Sequence, residues 1–258
     1  MRATTDRRVV RVVHKHDTME GAGVIVGRAL PHQEVPPEEV DPFLLWDEAE
    51  IDPDGPAFPR HPHRGFEILT YPLRGWINHT DSMGNEARVQ AGGIMRITAG
   101  KGIWHEEGFG EKDHQPIRGI QFWVNLPLAE KQRAPSLQVA VETDLPITDQ
   151  DGVRLKVLVG PGSPIRLVTP MHYLDVTVQP GAAFAWEAPA AYQGFAYILD
   201  GVGRFGPEAT RGQKGDLVVW GEGERAVVTA EGKFPARFLL ALGRPHRQPM
   251  RWHGSYVD

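Results

Sequence analysis

His61-Pro62-His63 and His105-Glu106-Glu107 are the residues of this 258-residue chain whose types and spacing could do chemistry. Side chains at i and i+2 of a β-strand project from one face, so His61 goes with His63 and His105 with Glu107. On two adjacent strands inside a β-barrel, these pairs would aim three imidazoles and one carboxylate at one point. A mixed nitrogen and oxygen set suits a divalent first-row metal, and the absence of cysteine excludes metals that seek thiolate. Four such ligands leave one or two positions open on a five- or six-coordinate ion, which a reactive centre needs. His14-Lys15-His16 repeats the spacing, but in a charged segment with no partner cluster, and reads as surface. His79 reads as a half-buried strand residue, with a supporting hydrogen bond to a ligand as the alternative. His32, His114, His172, His246 and His253 belong to no constellation. Trp123 is the tryptophan expected nearest the cavity.

The elements that must position these residues are short strands between glycine and proline turns. Gly and Pro together make about a fifth of the chain, against a usual ~12%, while 41% of residues are hydrophobic. That combination means many turns rather than disorder. The pattern predicts strands over residues 24–30, 66–73, 76–79, 95–98 and 120–126, a turn at 81–85, and a short helical turn at 128–133. Pro72 is expected to put the end of its strand at an edge or a bulge. The second half repeats the texture, with strands over 155–159, 173–178, 195–199, 216–220 and 238–242. Gly65-Phe66-Glu67 is echoed by Gly194-Phe195-Ala196, and Leu73-Arg74-Gly75 by Leu199-Asp200-Gly201. The fold class is therefore all-β, two stacked β-barrels, divided into residues 1–134 with an N-terminal extension and residues 135–258. Residues 1–22 are expected to form a strand that docks late or frays, and residues 31–60 an extended approach to the first barrel.

Net charge is −5, and no basic block of the kind nucleic acid requires is present. No run approaches the ~18 apolar residues of a membrane helix, and the opening is too charged for a signal peptide. The expectation is a cytoplasmic monomer without direct nucleic-acid or membrane contact.

The motif His61-Pro62-His63-Arg64-Gly65-Phe66-Glu67, the turn Asp81-Ser82-x-Gly84-Asn85 and the run Thr98-Ala99-Gly100-Lys101-Gly102-Ile103-x-His105-x-Glu107 resemble the pirin family of the cupin superfamily. Gln121-Phe122-Trp123-Val124-Asn125-Leu126-Pro127, Asp41-Pro42-Phe43-Leu44-Leu45 and Gln248-Pro249-Met250 extend the resemblance over most of the chain. It implies a bicupin whose N-terminal barrel alone holds a metal, through His61, His63, His105 and Glu107. The ion would be iron(II) first, with manganese, cobalt, nickel, copper or zinc as alternatives. Glu67, a ligand position in many cupins, is then a rim or supporting group. Tyr192-Gln193 before Gly194 stands where a second site would need its own histidine pair.

The activity implied is that of a flavonol (quercetin) 2,3-dioxygenase, an oxidoreductase taking a phenolic small molecule and dioxygen. Glu107 would be both ligand and the catalytic base for the substrate's 3-hydroxyl. The alternatives are an iron-dependent, redox-sensitive regulator that binds a protein partner, and a cupin isomerising a small keto compound. Trp104 and Glu106 depart from the family and should point away from the site. Ile68-Leu69 and Pro72 also depart, near the motif strand, and the closing tail at Val257-Asp258 is expected to be short.

Overall fold

Alternating and continuous apolar runs, cut at glycine and proline, give a nearly all-β chain whose two halves repeat one plan. The computed structural model describes residues 4–52, 55, 58–109 and 116–258; His114 lies outside them. In each half a seven-stranded sheet is accompanied by a four-stranded one, and all the named strand pairs are antiparallel. The first large sheet runs Ser136–Ala140, Ile94–Thr98, Phe66–Arg74, Ile117–Asn125, Phe43–Ile51, Val24–Leu30, His16–Glu20. Its small companion runs Phe58–His63, Ile103–Phe109, Trp76–Asp81, Glu86–Gln90. The second large sheet runs Val9–His14, Asp216–Trp220, Gln193–Asp200, Ala236–Gly243, Met171–Val178, Val153–Val159, Ile147–Gln150. Ala183–Glu187, Arg225–Ala230, Val202–Phe205 and Thr210–Gln213 form its small companion. Among the described residues no helix is long and apolar enough to cross a membrane.

Three expectations change. Residues 1–22 hold two strands in different sheets: Val9–His14 pairs with Asp216–Trp220 of the second barrel, and His16–Glu20 lies at the edge of the first. Ser136–Ala140 makes the reverse exchange, pairing with Ile94–Thr98, so strands cross the 134/135 division in both directions. Residues 31–60 are not merely an approach. Phe43–Ile51 is an interior strand between Ile117–Asn125 and Val24–Leu30, buried on both faces and therefore without the alternation that marks a half-exposed strand. Pro72 lies on an interior strand, and the accommodation is a bulge, where the register shifts opposite Arg118 and Gly119.

The two large sheets share one core. Trp46 is fully buried, with Phe122 at 4.9 Å, Phe195 at 5.1 Å and Tyr173 at 5.9 Å between ring centres, so both halves pack on one indole. Charged groups inside this interface are paired. Glu48 accepts from Lys15 and Arg118 at 2.7 Å and from the Tyr197 hydroxyl at 2.6 Å. Asp175, on the second barrel, accepts from the Tyr71 hydroxyl of the first at 2.6 Å and from Arg237 at 2.7 Å.

Asp175→Ala leaves a buried phenol and a guanidinium without their acceptor. Chemical denaturation should show a loss of about 2–3 kcal/mol, less than for a fully buried ion pair because Arg237 reaches solvent.

Candidate metal centre

The histidine strand Phe58–His63 lies antiparallel beside Ile103–Phe109, in the register His63 to Ile103 and His61 to His105. Pleating turns His63, His105 and Glu107 inward, at 2%, 1% and 5% exposure, while Trp104 and Glu106 face solvent as expected. His61, His63 and His105 come together, with ring centres 4.5–4.9 Å apart and a ligating atom from each within 4.8 Å of the others. Glu107 does not join this trio directly. A register shift between His105 and Glu107 breaks the ladder there, and the carboxylate groups instead with His105 and His79. Its Oε1 lies 3.9 Å from His105 Nδ1 and within 3.2 Å of the Thr70 hydroxyl.

His79 is where the structure departs most from the sequence reading. It sits opposite Glu107 on the next strand, Trp76–Asp81, and is buried to 1% rather than half-buried. Its Nε2 is 3.3 Å from Asp81 Oδ2 and its Nδ1 is 3.5 Å from His105 Nδ1. The signal was available: His79 and Asp81 have the same i, i+2 spacing as the two pairs already singled out. Glu67 is the converse case. It is neither at the rim nor at the histidines, but fully buried on the large sheet, accepting from Thr98 Oγ1 at 2.7 Å and from the Val168 amide at 2.8 Å.

His61 Nδ1 is 2.7 Å from the Pro59 carbonyl, which makes it the donor and leaves Nε2 as a lone pair. Both His63 nitrogens and His105 Nε2 are buried without a well-placed hydrogen-bond partner. Orphaned groups are rare in protein interiors because each forfeits its hydration. A divalent cation is what three convergent imidazole lone pairs fit, so the donor set matches a metal on its own chemistry. Burial, with neighbouring histidines, pushes the His63 and His105 imidazoles down to about 3 and about 2. Both are neutral, as ligands must be. Burial raises the Glu107 carboxyl to about 7, against a small opposing effect of the Thr70 hydroxyl.

A cavity of about 730 Å³ opens onto the site, lined by His61, His63, Glu107, Trp123, Thr70 and Trp252 among others. Trp123 is where the sequence put it. Its ring stacks on Phe66 at 4.3 Å and meets His63 at 5.0 Å, holding the imidazole from the side. The tail was not foreseen as a wall. The hairpin Trp252–His253 with Tyr256–Val257 returns from the second half to the first barrel, where the Arg64 amide donates to Ser255 and the Val257 amide to Arg64. Lys131 Nζ locks it there, donating to Gly65, Asn125 and Val257 oxygens at 2.6–3.0 Å.

Sequence profiles match at both ends of the chain: Pirin over residues 23–124 and the Pirin C-terminal cupin domain over 173–258. The chain belongs to the pirin family. A pirin-like protein of Solanum lycopersicum is 35% identical over 97% of this chain and 86% of its own length; human pirin is 35% identical over 98% and 88%. Among solved structures, a quercetin 2,3-dioxygenase of Acinetobacter baumannii superposes with a TM-score of 0.89 at 24% identity, covering 97% of this chain and 91% of its own. An Escherichia coli bacterial pirin in complex with nickel(II) gives 0.71 at 19% identity, covering 91% and 99%. These two share the bicupin fold with this pirin-family chain. In its second barrel the strands in the place of the histidine-bearing pair are Ala183–Glu187, which ends several residues before Tyr192-Gln193, and Arg225–Ala230, which lies well after it. They contribute Phe184, Trp186, Ala226 and Val228 to an apolar core.

The shifted groups give opposite pH effects in the metal-free protein. His63 and His105 stay neutral when folded, whereas the unfolded imidazole takes a proton below its ordinary 6.5, so stability falls as pH drops through that value. Glu107 takes its proton near 7 when folded and only near 4.5 when unfolded, so it adds stability over the same fall. Denaturation of the metal-free protein between pH 7.5 and 5 should therefore show His63→Leu losing less on acidification than wild type, and Glu107→Gln losing more.

Proposed function

We propose that this chain is a metal-dependent dioxygenase that opens flavonol-type phenolics, with one divalent ion held by His61, His63 and His105 and Glu107 completing the set. Iron is the first candidate. The observation that carries the reading is the trio of converging imidazoles, two of them deeply buried, beside a large cavity that His61 and His63 line. A cavity of this size takes a three-ring planar molecule. The quercetin dioxygenase and the nickel-bound pirin that share its fold support the substrate class and the divalent charge.

When bound, the ion would supply a Lewis acid for a deprotonated enol and a redox partner for dioxygen. The chain supplies the rest. Thr70 sits against Glu107 Oε1, which leaves Oε2 to accept the proton of the substrate's 3-hydroxyl. A carboxyl that burial raises to about 7 is matched to that proton at neutral pH. Trp123, fixed by Phe66, presents a rigid aromatic wall beside His63, and Trp252 closes the cavity from the tail, with its ring 6.3 Å from that of Trp123. Phe58, Ile77 and Ile117 line further wall, keep water out and leave the carboxylate as the local base.

Protein loaded with iron, manganese, cobalt or nickel should consume dioxygen with quercetin, release carbon monoxide and bleach the flavonol band. Glu107→Gln keeps an oxygen donor but no basic atom, so turnover should fall by roughly two to four orders of magnitude while most metal is retained. His63→Ala should lose metal and turnover together. Flavonols left untouched in air by every loaded form would overturn the oxygenase reading, and a metal-dependent protein partner would become the leading one.

A further inference from the structure

His79 and Asp81 have no part in the chemistry above, yet they are the most deeply buried polar pair beside it. Neither side chain has exposed surface. They form a line of contacts that ends on one of the three convergent imidazoles: Asp81 Oδ2 to His79 Nε2 at 3.3 Å, then His79 Nδ1 to His105 Nδ1 at 3.5 Å. Beyond lies His105 Nε2, buried and without a partner.

We propose that Asp81 and His79 are positioning residues that fix the tautomer of His105, and so aim its Nε2 lone pair at the ion. The proposal rests on the reading of His61, His63 and His105 as ligands. With His79 neutral, the proton count along the line has one consistent solution. Burial alone would raise the Asp81 pKa, but the Asn85 side chain and the backbone amides of Asn85 and Met83 outweigh it together, lower the pKa and hold Asp81 as a carboxylate. A carboxylate only accepts, so His79 must carry its proton on Nε2. Neutral His79 then offers a lone pair at Nδ1. Two lone pairs cannot face each other at 3.5 Å favourably, so His105 carries its proton on Nδ1 and its lone pair on Nε2. The alternative acceptor for that proton, Glu107 Oε1, stands farther off at 3.9 Å. Ligand imidazoles are generally held this way, by a partner on the nitrogen that does not bind metal, and losing the partner typically costs 10–100-fold in metal affinity.

The turn that Asp81 holds would be disturbed by changing it, so His79 is the position to vary. An asparagine side chain can put its carbonyl oxygen where His79 Nδ1 stands; leucine fills similar space without an acceptor. Cobalt(II) affinity, measured by competition with a chromophoric chelator, should fall about 10–100-fold in His79→Leu and return to within a few-fold of wild type in His79→Asn. Histidine ring nitrogen NMR of the metal-free protein should find the His105 proton on Nδ1 in wild type and His79→Asn, and mixed tautomers in His79→Leu. Equal affinity losses in both variants, tracking their melting temperatures, would overturn the proposal in favour of simple packing. So would a wild-type His105 protonated on Nε2, or a second cobalt ion lost with His79. If wild-type protein takes up no cobalt at all, the ligand reading falls by itself, and the nitrogen spectra still decide the tautomer.

Discussion

Three imidazoles brought together with lone pairs unspent, two of them deeply buried, are the constraint around which the first barrel is arranged. Left to themselves, His63 and His105 would rotate toward water or find carbonyl partners, because an unsatisfied buried nitrogen is unfavourable by roughly 1–3 kcal/mol. The surroundings prevent this from several directions. Trp123, backed by Phe66, blocks His63; the Pro59 carbonyl fixes His61; His79 stands against the far edge of His105. A rigid frame of this kind makes the ring orientations a property of the fold, which is what preorganisation of a site requires. The shared core at Trp46, where both large sheets meet, supplies the apolar burial that offsets the strain of holding polar groups unpaired.

Each terminus closes the barrel built by the other half. Near the N-terminus, Arg7 is fully buried against the second barrel, donating to the Tyr192 and Pro189 carbonyls at 2.8 and 2.9 Å. At the other end, the tail hairpin walls the cavity beside the three histidines, and Arg64, immediately after His63, forms a two-pronged bond with Asp258 at 2.7–3.0 Å. Gly65 makes the docking sterically feasible: at φ +90° it has a backbone other residues avoid, and a Cβ there would collide with the Val257 carbonyl. Glu67 adds a further tie from the motif strand to the Val168 amide. The first barrel's site is thus finished by residues more than a hundred positions away, and the two halves are coupled mechanically.

Much of this was legible in the chain, and what was not has a common cause. Alternation paired His61 with His63 and His105 with Glu107, because a two-residue period survives in any strand that buries one face; the three histidines meet, while Glu107 groups with His105 and His79. It missed Phe43–Ile51, where both faces are buried and Asp47 and Glu48 are tolerated only because Arg28, Lys15 and Arg118 arrive from elsewhere. His79 was undervalued because its partner Asp81 was read as turn chemistry alone, although the side chain serves both the turn and the histidine. Glu67 was drawn toward the site by its place in the motif, but on its strand it stands opposite Thr98 and bonds to it. The tail and the exchanged strands are long-range pairings, for which no local pattern exists.

The second barrel shows that the frame does not decide the chemistry. It has the same seven-plus-four arrangement, with a strand pair in the corresponding place, yet Phe184, Trp186, Ala226 and Val228 there join one apolar cluster with Phe205 and Phe238. Among the described residues no cluster of metal-ligating side chains lies in this barrel. It can therefore be optimised for packing alone, and Phe205, Phe238 and Ala226 are indeed without exposed surface. The first barrel carries the opposite choice, a cavity and orphaned nitrogens, which reduce stability unless something binds. Placing the two side by side, with exchanged strands and a common core, lets the well-packed barrel stabilise the one that is kept open. Function then resides in a handful of inward positions, and the rest of the duplicated fold holds them still.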